Sequence, residues 1–267
     1  MDTVTQRRDL IKQAAVTAGK FIKTAKPTEG IVSKEGRGNF ATAADLASEK
    51  IVIDLISKQF PEDKILSEET NSEIKDMFSI DHLWIIDPID GTHNFRYDRN
   101  YSCVSIAYIE KGITKLGAAY NPYVDELFFA EANRGSYIND IKMNIGDQID
   151  LSQASVGTDN SYNPAQSQQR LELLLLLQPT PWVAIKGSSV LTIAEVACGR
   201  MDLYFTTSVS PWDTAAALLM LQEAGGIARN FKGEPITFDS REVIVGNEEL
   251  VNQFIDTVKK HPEIHIL

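Results

Sequence analysis

Trp84-Ile85-Ile86-Asp87-Pro88-Ile89-Asp90-Gly91-Thr92-His93-Asn94-Phe95 is the stretch on which the reading of this chain turns. Residues 82–86 are apolar enough for a buried strand, and Asp87 falls where that strand is expected to end. Pro88 removes a backbone donor and biases Asp87 towards extended geometry, which sets the carboxylate at the strand's edge. Asp90 follows closely, and Gly91-Thr92 can open a helix whose amides point at an anion. Two carboxylates beside such a helix start are compatible when a cation sits between them. The stretch therefore reads as a magnesium-dependent phosphate site.

The 267 residues suffice for one large domain or two joined ones. A net charge of −11 with no offsetting basic block argues against nucleic acid or an anionic membrane as partner. The same charge would repel a phosphorylated substrate, and bound divalent cations would invert that field locally. Cys103 and Cys198 lie far apart, form neither a C-x-x-C motif nor a disulfide framework, and read as buried free thiols. The first residues lack a signal-peptide apolar core. The longest apolar runs, residues 215–221 and 173–177, are too short to span a bilayer, so a cytoplasmic location is expected.

Upstream of the central stretch, Leu10, Ile11, Ala14, Ala18, Phe21, Ile22 and Ala25 share one helical face over residues 5–26, and Pro27 stops the run. Residues 28–39 are polar, hold Gly30, Gly36 and Gly38, and read as a mobile loop carrying Lys34, Glu35 and Arg37. A solvated loop and a segment over an active site are equally good readings of it. Thr42 is a good cap for a second helix with Ala43, Leu46, Ile53, Ile56 and Phe60 on one face. Asp45 in its first turn reads, alone, as a helix-start acid. Residues 64–67 form a brief strand ending in Glu68-Glu69, and alternation would let at most one of these acids enter a shared site.

Residues 101–109, 113–120 and 126–131 read as an antiparallel meander, followed by a short strand after residues 133–136. The texture changes near residues 146–151, which divides the chain into an α+β metal-binding domain, 1–147, and an α/β domain, 148–267, that completes the active site. In the second part, strands at 154–158, 182–185, 202–205 and 243–245 alternate with helices at 170–177, 188–198, 211–224 and 248–260. That alternation is the α/β signature. The five leucines at 173–177 read as core. Asp213 in Ser210-Pro211-Trp212-Asp213-Thr214 opens a helix, where capping is its default role.

Taken together, these elements resemble the inositol monophosphatase family of magnesium-dependent, lithium-sensitive phosphatases. Asp87-Pro88-Ile89-Asp90-Gly91-Thr92 matches that family's first motif, and Trp212-Asp213 followed by an Ala-rich helix and Glu223-Ala224-Gly225-Gly226 matches its second. Glu68-Glu69-Thr70 and the Thr42-Ala43-Ala44-Asp45 pattern complete the match, in order, over about residues 34–226. The resemblance implies a layered α/β/α/β/α sandwich and a homodimer. It also implies two or three Mg2+ ions per site. Glu68, Asp87 and the Ile89 carbonyl would hold the first, Asp87, Asp90 and Asp213 the second, and Glu68 would share a third. Gly91 and Thr92 would offer amides to the phosphate. Thr92 with Asp45 would orient and deprotonate the attacking water, with Glu69 close by and Lys34 near the phosphate.

Substrate selection is implied less directly. Gly187-Ser188-Ser189 aligns with a segment lining the family's sugar-alcohol pocket, and Ser161 falls near it. At Thr206 the chain departs from the inositol-specific members, which carry a glutamate there. A shorter, neutral side chain leaves room for bulkier or more anionic substrates. Inositol monophosphate is therefore expected by family, with the 2′-phosphate of NADP, fructose 1,6-bisphosphate and 3′-phosphoadenosine nucleotides as alternatives. His93, where relatives often carry Thr or Ser, reads as a helix-surface residue. A catalytically silent metal- or phosphate-binding regulator is the reading from a different class. The presence of Asp45, Glu68, Asp87, Asp90 and Asp213 together weighs against it.

Overall fold

A computed structural model describes residues 3–34, 38–71, 74, 76–177 and 180–264. Glu35, Gly36 and Arg37 of the expected loop lie outside the described residues. The first helix, α1 (Thr3–Thr24), buries Leu10, Ile11, Ala14, Ala18 and Ile22, the face that its helical spacing marks. A short antiparallel ribbon, β1 (Val32–Ser33) and β2 (Phe40–Ala41), leads into α2 (Ala43–Gln59). Thr42 caps α2 as expected: its hydroxyl accepts the Ala44 N–H at 3.2 Å, and Asp45 Oδ2 accepts the Thr42 N–H at 2.7 Å.

The buried face of α2 differs from the expected one. Ala43 and Leu46 are exposed, and Asp45, Ser48 and Glu49 are buried beside Ala44, Val52 and Ile56. Hydrophobic periodicity cannot find such a face, because half of it is polar.

Seven strands form the first sheet in chain order: β3 (Lys64–Ser67), β4 (His82–Asp90), β5 (Cys103–Glu110), β6 (Ile113–Asn121), β7 (Glu126–Glu131), β8 (Gly135–Ile138) and β9 (Ile141–Lys142). Only β3 and β4 run parallel. A five-residue helix, α3 (Thr92–Arg96), lies between β4 and β5. The second part contains β10 (Ser155–Thr158), α4 (Pro164–Leu176), β11 (Trp182–Ile185), α5 (Ser189–Ala197), β12 (Leu203–Thr206), α6 (Pro211–Glu223), β13 (Ile227–Arg229), β14 (Val243–Gly246) and α7 (Glu248–Lys259). Its five-stranded sheet has the order β11-β10-β12-β14-β13. The two- and three-residue strands β1, β2, β9 and β13 are too short to show a period in sequence.

Three apolar clusters define the layers. Trp84, Ile86, Val104 and Ile106 pack under α1 and α2 on one face of the large sheet. Leu83 and Ile85 on the other face join Val190 of α5, Met220 of α6 and Val245 of the second sheet. Leu173, Phe205, Phe254 and Val258 join the far face of that sheet to α4 and α7. The result is the layered α/β/α/β/α sandwich, with α5 and α6 between the sheets.

One helix begins earlier than its leucines suggest. Asn163 Oδ1 accepts the Ala165 N–H at 2.9 Å and Pro164 occupies the first turn, so α4 starts there, well before Arg170. Of its leucines, Leu173 and Leu177 are buried, whereas Leu171 and Leu175 face out, so the run is only partly core. No helix among the described residues is long and apolar enough to cross a membrane.

The α2 face gives a direct test. Ile56→Ala is expected to cost about 2–5 kcal/mol in urea denaturation, whereas Leu46→Ala should stay within about 0.5 kcal/mol. Equal losses would contradict the assigned face.

Candidate active site

Along β4, Leu83 and Ile85 enter the inter-sheet cluster, and Trp84 and Ile86 the outer one. Asp87 continues the inner set. In a regular strand Asp90, an odd number of residues on, would face outward. The strand does not stop at Asp87 as the proline suggested. It runs to Asp90, pairing Asp87 with Ser105 and Asp90 with Cys103, with a register shift between them. Three steps on β4 thus oppose two on β5, and the extra residue returns Asp90 to the inner face. Ile89 fills the outer core, and the Pro88 carbonyl accepts Ser48 Oγ of α2 at 2.8 Å.

Gly91 follows at φ 88°, and a Cβ there would lie 3.0 Å from the carbonyl oxygens of both Gly187 and Tyr101. The turn into α3 admits only glycine comfortably. Asp213 arrives from the first turn of α6, where its Oδ2 accepts the Ser210 N–H at 2.7 Å. Oxygens of Asp87, Asp90 and Asp213 then lie within 4.8 Å of one another. Asp90 Oδ2 also accepts the Val190 N–H at 3.1 Å and the Ser188 hydroxyl, and Asp87 Oδ1 accepts the Ile89 N–H at 3.0 Å.

Glu68 and Glu69 sit in a turn after β3, so strand alternation does not apply and both reach the same group. Lys34 Nζ donates to Glu68 at 2.8 Å and to Glu69 at 2.5 Å. Glu49, buried on α2, holds this turn by accepting the Ser67 and Thr70 hydroxyls and the Glu69 N–H. Thr92 Oγ1 lies 3.2 Å from Asp45 Oδ1 and 3.1 Å from the Ile89 carbonyl.

Burial and mutual repulsion dominate the electrostatics. Burial, then Glu68, Asp90 and Asp213, raise Asp87 well above the usual carboxylate range. Asp213 is raised well above it by burial, Asp90 and Glu68. Asp90 is pushed up to about 7 by burial, with the Ser188 hydroxyl pulling the other way. Glu69 also rises to about 7, from burial and then Glu68, against the pull of Lys34. Hard, buried oxygens gathered this closely fit a small divalent cation.

A cavity of about 770 Å³ opens beside the carboxylates and takes in Glu68, Asp87, Asp90, Thr92 and Asp213. Gly187, Ser189, Thr206 and Ser161 also line it. Ser188 does not appear on that wall: it is buried, caps α5 and is committed to Asp90. His93 is more than a surface residue. Its Nε2 lies 2.8 Å from the Gly38 carbonyl, and its ring packs against Phe40 and Tyr162 at the cavity mouth.

The model of the inositol monophosphatase family matches residues 4–263. The chain belongs to that family. The fructose-1,6-bisphosphatase/inositol-1-monophosphatase of Thermotoga maritima is 32% identical over 234 residues, 87% of either chain. The inositol-1-monophosphatase of Mesorhizobium japonicum is 33% identical over 257 residues, 94% of this chain and 96% of that one. The solved inositol monophosphatase of T. maritima superposes with a TM-score of 0.87 at 29% identity, covering 97% of this chain and 100% of that one. As an inositol monophosphatase family member, the protein is a phosphoric monoester hydrolase.

Three groups in this site escaped the sequence reading. Asp159 accepts the Gly187 N–H at 2.6 Å, Ser189 Oγ at 3.0 Å and the Tyr204 hydroxyl at 2.6 Å. Asn94 Nδ2 donates to the carbonyls of Tyr101 and Lys186 at 2.8 and 2.7 Å, tying α3 to the Lys186–Gly187 turn. Glu49 is the third. Each is an unremarkable polar residue in sequence, and only its burial identifies it.

Cation binding should appear in stability. Without a cation, the unfolded chain releases its carboxyl protons from near the ordinary values of 3.8 for Asp and 4.5 for Glu. The fold keeps those of Asp90 and Glu69 up to about 7. The native state thus binds more protons in that window, and stability falls as pH rises through it. A divalent cation opposes that loss, so magnesium should raise Tm more at about pH 7.5 than at about pH 5. A Tm increment independent of pH would contradict the assignment.

Proposed function

We propose that this family member is a magnesium-dependent phosphomonoesterase of small phosphorylated metabolites, with inositol monophosphate the first substrate expected by family. The observation that carries the reading is the convergence of Asp87, Asp90 and Asp213 beside Thr92 at the cavity. Glu68, Asp87 and the Ile89 carbonyl would hold one Mg2+, Asp87, Asp90 and Asp213 a second, and Glu68 would share a third. Magnesium bound there would lower the pKa of water, polarise the phosphoryl group and offset charge on the leaving oxygen.

The chain's own groups do the rest. Gly91 and Thr92 border the cavity, where their main-chain N–H groups can meet phosphate oxygens. Thr92 Oγ1 can accept a proton from the attacking water while passing its own to Asp45 Oδ1, 3.2 Å away. Burial raises the pKa of Asp45, which suits it to take that proton. Lys34 balances Glu68 and Glu69 at the rim, and their pull outweighs burial to hold its pKa above the ordinary lysine value.

A broader range, extending to fructose 1,6-bisphosphate and the 2′-phosphate of NADP, is the second reading. It is favoured by the neutral Thr206 on the cavity wall and by the double name of the Thermotoga relative. Assembly as a homodimer is expected of the family, and sedimentation of the whole chain tests it.

Asp87→Asn and Asp213→Asn should each lower magnesium-dependent phosphate release on the order of a hundredfold or more while circular dichroism stays native. Undiminished turnover in both would remove the metal mechanism. A panel of inositol 1-phosphate, fructose 1,6-bisphosphate, NADP and 3′-phosphoadenosine 5′-phosphate, with and without magnesium and lithium, assigns the substrate. Release from inositol phosphates alone would overturn the broader reading.

A further inference from the structure

Arg170 stands out among the cavity's charged side chains. It lies on α4, is only 3% exposed, and still lines the cavity that holds Asp87, Asp90 and Asp213. The lysines on the same wall are committed: Lys34 to Glu68 and Glu69, and Lys186 to Glu195. Arg99 is exposed to solvent. Arg170 is bonded to neutral partners. Its Nε donates to Thr207 Oγ1 at 3.1 Å, Nη1 to the Asp159 carbonyl at 2.8 Å and Nη2 to the Ser208 carbonyl at 3.4 Å.

A guanidinium carries five N–H donors, one on Nε and two on each terminal nitrogen. The bonds to Thr207, Asp159 and Ser208 engage one per nitrogen, which leaves one N–H on Nη1 and one on Nη2. Each terminal nitrogen thus keeps a donor that a phosphate oxygen can accept from. A buried cation is costly unless an anion meets it. Burial lowers its pKa against the opposing pull of Tyr204, Asp159 and Asp213. The carboxylate of Asp159 is itself taken up by Gly187, Ser189 and Tyr204. The neighbouring Thr206, Thr207 and Ser208 bring no charge.

We propose that Arg170 is a specificity-determining residue that receives a second phosphate group of the substrate, in the cavity where the scissile phosphate meets the Asp87, Asp90 and Asp213 cluster. This rests on the phosphomonoesterase reading in its broader form and, within it, favours substrates bearing two phosphates. The bonds to Thr207, Asp159 and Ser208 fix the guanidinium in place, so the subsite is formed before substrate arrives.

The test compares fructose 1,6-bisphosphate with fructose 1-phosphate, which differ by the second phosphate alone. The wild-type chain with magnesium should favour the bisphosphate at least about tenfold in kcat/KM, equivalent to about 1.4 kcal/mol. Arg170→Gln should collapse that ratio towards one, chiefly through KM for the bisphosphate, and Arg170→Lys should restore part of it. A wild-type ratio near one, or a ratio unchanged in a folded Arg170→Gln variant, overturns the assignment of Arg170. If Arg170→Gln does not fold, Arg170→Lys, which keeps the charge and loses the guanidinium donors, carries the same test, and an unchanged ratio in it overturns the assignment. Magnesium-dependent release from fructose 1-phosphate without the preference sinks Arg170 alone, whereas no release from either ester or from inositol 1-phosphate sinks the phosphomonoesterase reading beneath it.

Discussion

Mutual repulsion among buried carboxylates is the constraint on which this structure depends. Asp87, Asp90 and Asp213 bring oxygens within 4.8 Å of one another, with Glu68 on the same cavity wall. Gathering such charges in a poorly hydrated place opposes folding, and burial and neighbouring carboxylates raise the pKa of all three aspartates. The arrangement persists because the polypeptide holds the acids from two sides, Asp87 and Asp90 from β4 and Asp213 from α6. β4 is flanked by β3 and β5, with Asp87 and Asp90 paired to Ser105 and Cys103 of β5, and Asp213 is fixed by its own helix cap.

The surrounding layers supply that rigidity. β4 is buried on both faces, by α1 and α2 on one and by α5 and α6 on the other. A strand so placed has little freedom to relieve repulsion by moving. The bulge at Pro88 matters for the same reason, since it turns Asp90 back to the inner face without ending the strand. Polar groups do the corresponding work around it: Ser48 on the Pro88 carbonyl, Glu49 beneath the Glu68–Thr70 turn, and Asn94 between α3 and the Lys186–Gly187 turn. These bonds convert an apolar sandwich into a scaffold that can present charge.

Much of this was legible in sequence, for a simple reason. The acids gathered at the site occur in compact local patterns whose chemistry is recognisable at short range, as in Asp87-Pro88-Ile89-Asp90-Gly91-Thr92. Most strands and helices of the second part also follow from their alternation. The errors cluster where a polar residue is buried. The face of α2 was assigned to Leu46 when Asp45, Ser48 and Glu49 occupy it. Leucine spacing starts α4 at Arg170, whereas the helix begins at Pro164 and carries this arginine mid-helix to the cavity wall. Ser188 belongs to a segment that aligns with the family's pocket wall, and its hydroxyl is buried against Asp90. In each case hydrophobic periodicity is silent, because the burial of a polar group depends on a partner far away in the chain.

By itself, then, the sequence determined the reaction class and picked out the acids that the fold gathers, because carboxylate spacing and turn chemistry are local. Only the tertiary structure decided how those acids meet and what surrounds them. Asp213 reaches Asp87 across well over a hundred residues of intervening chain through the packing of α6 against the large sheet. Asp159 and Arg170 acquire their meaning from burial against the same cavity. Charge in sequence is only a property of a side chain, and its energetic consequence is set by the solvent that folding removes.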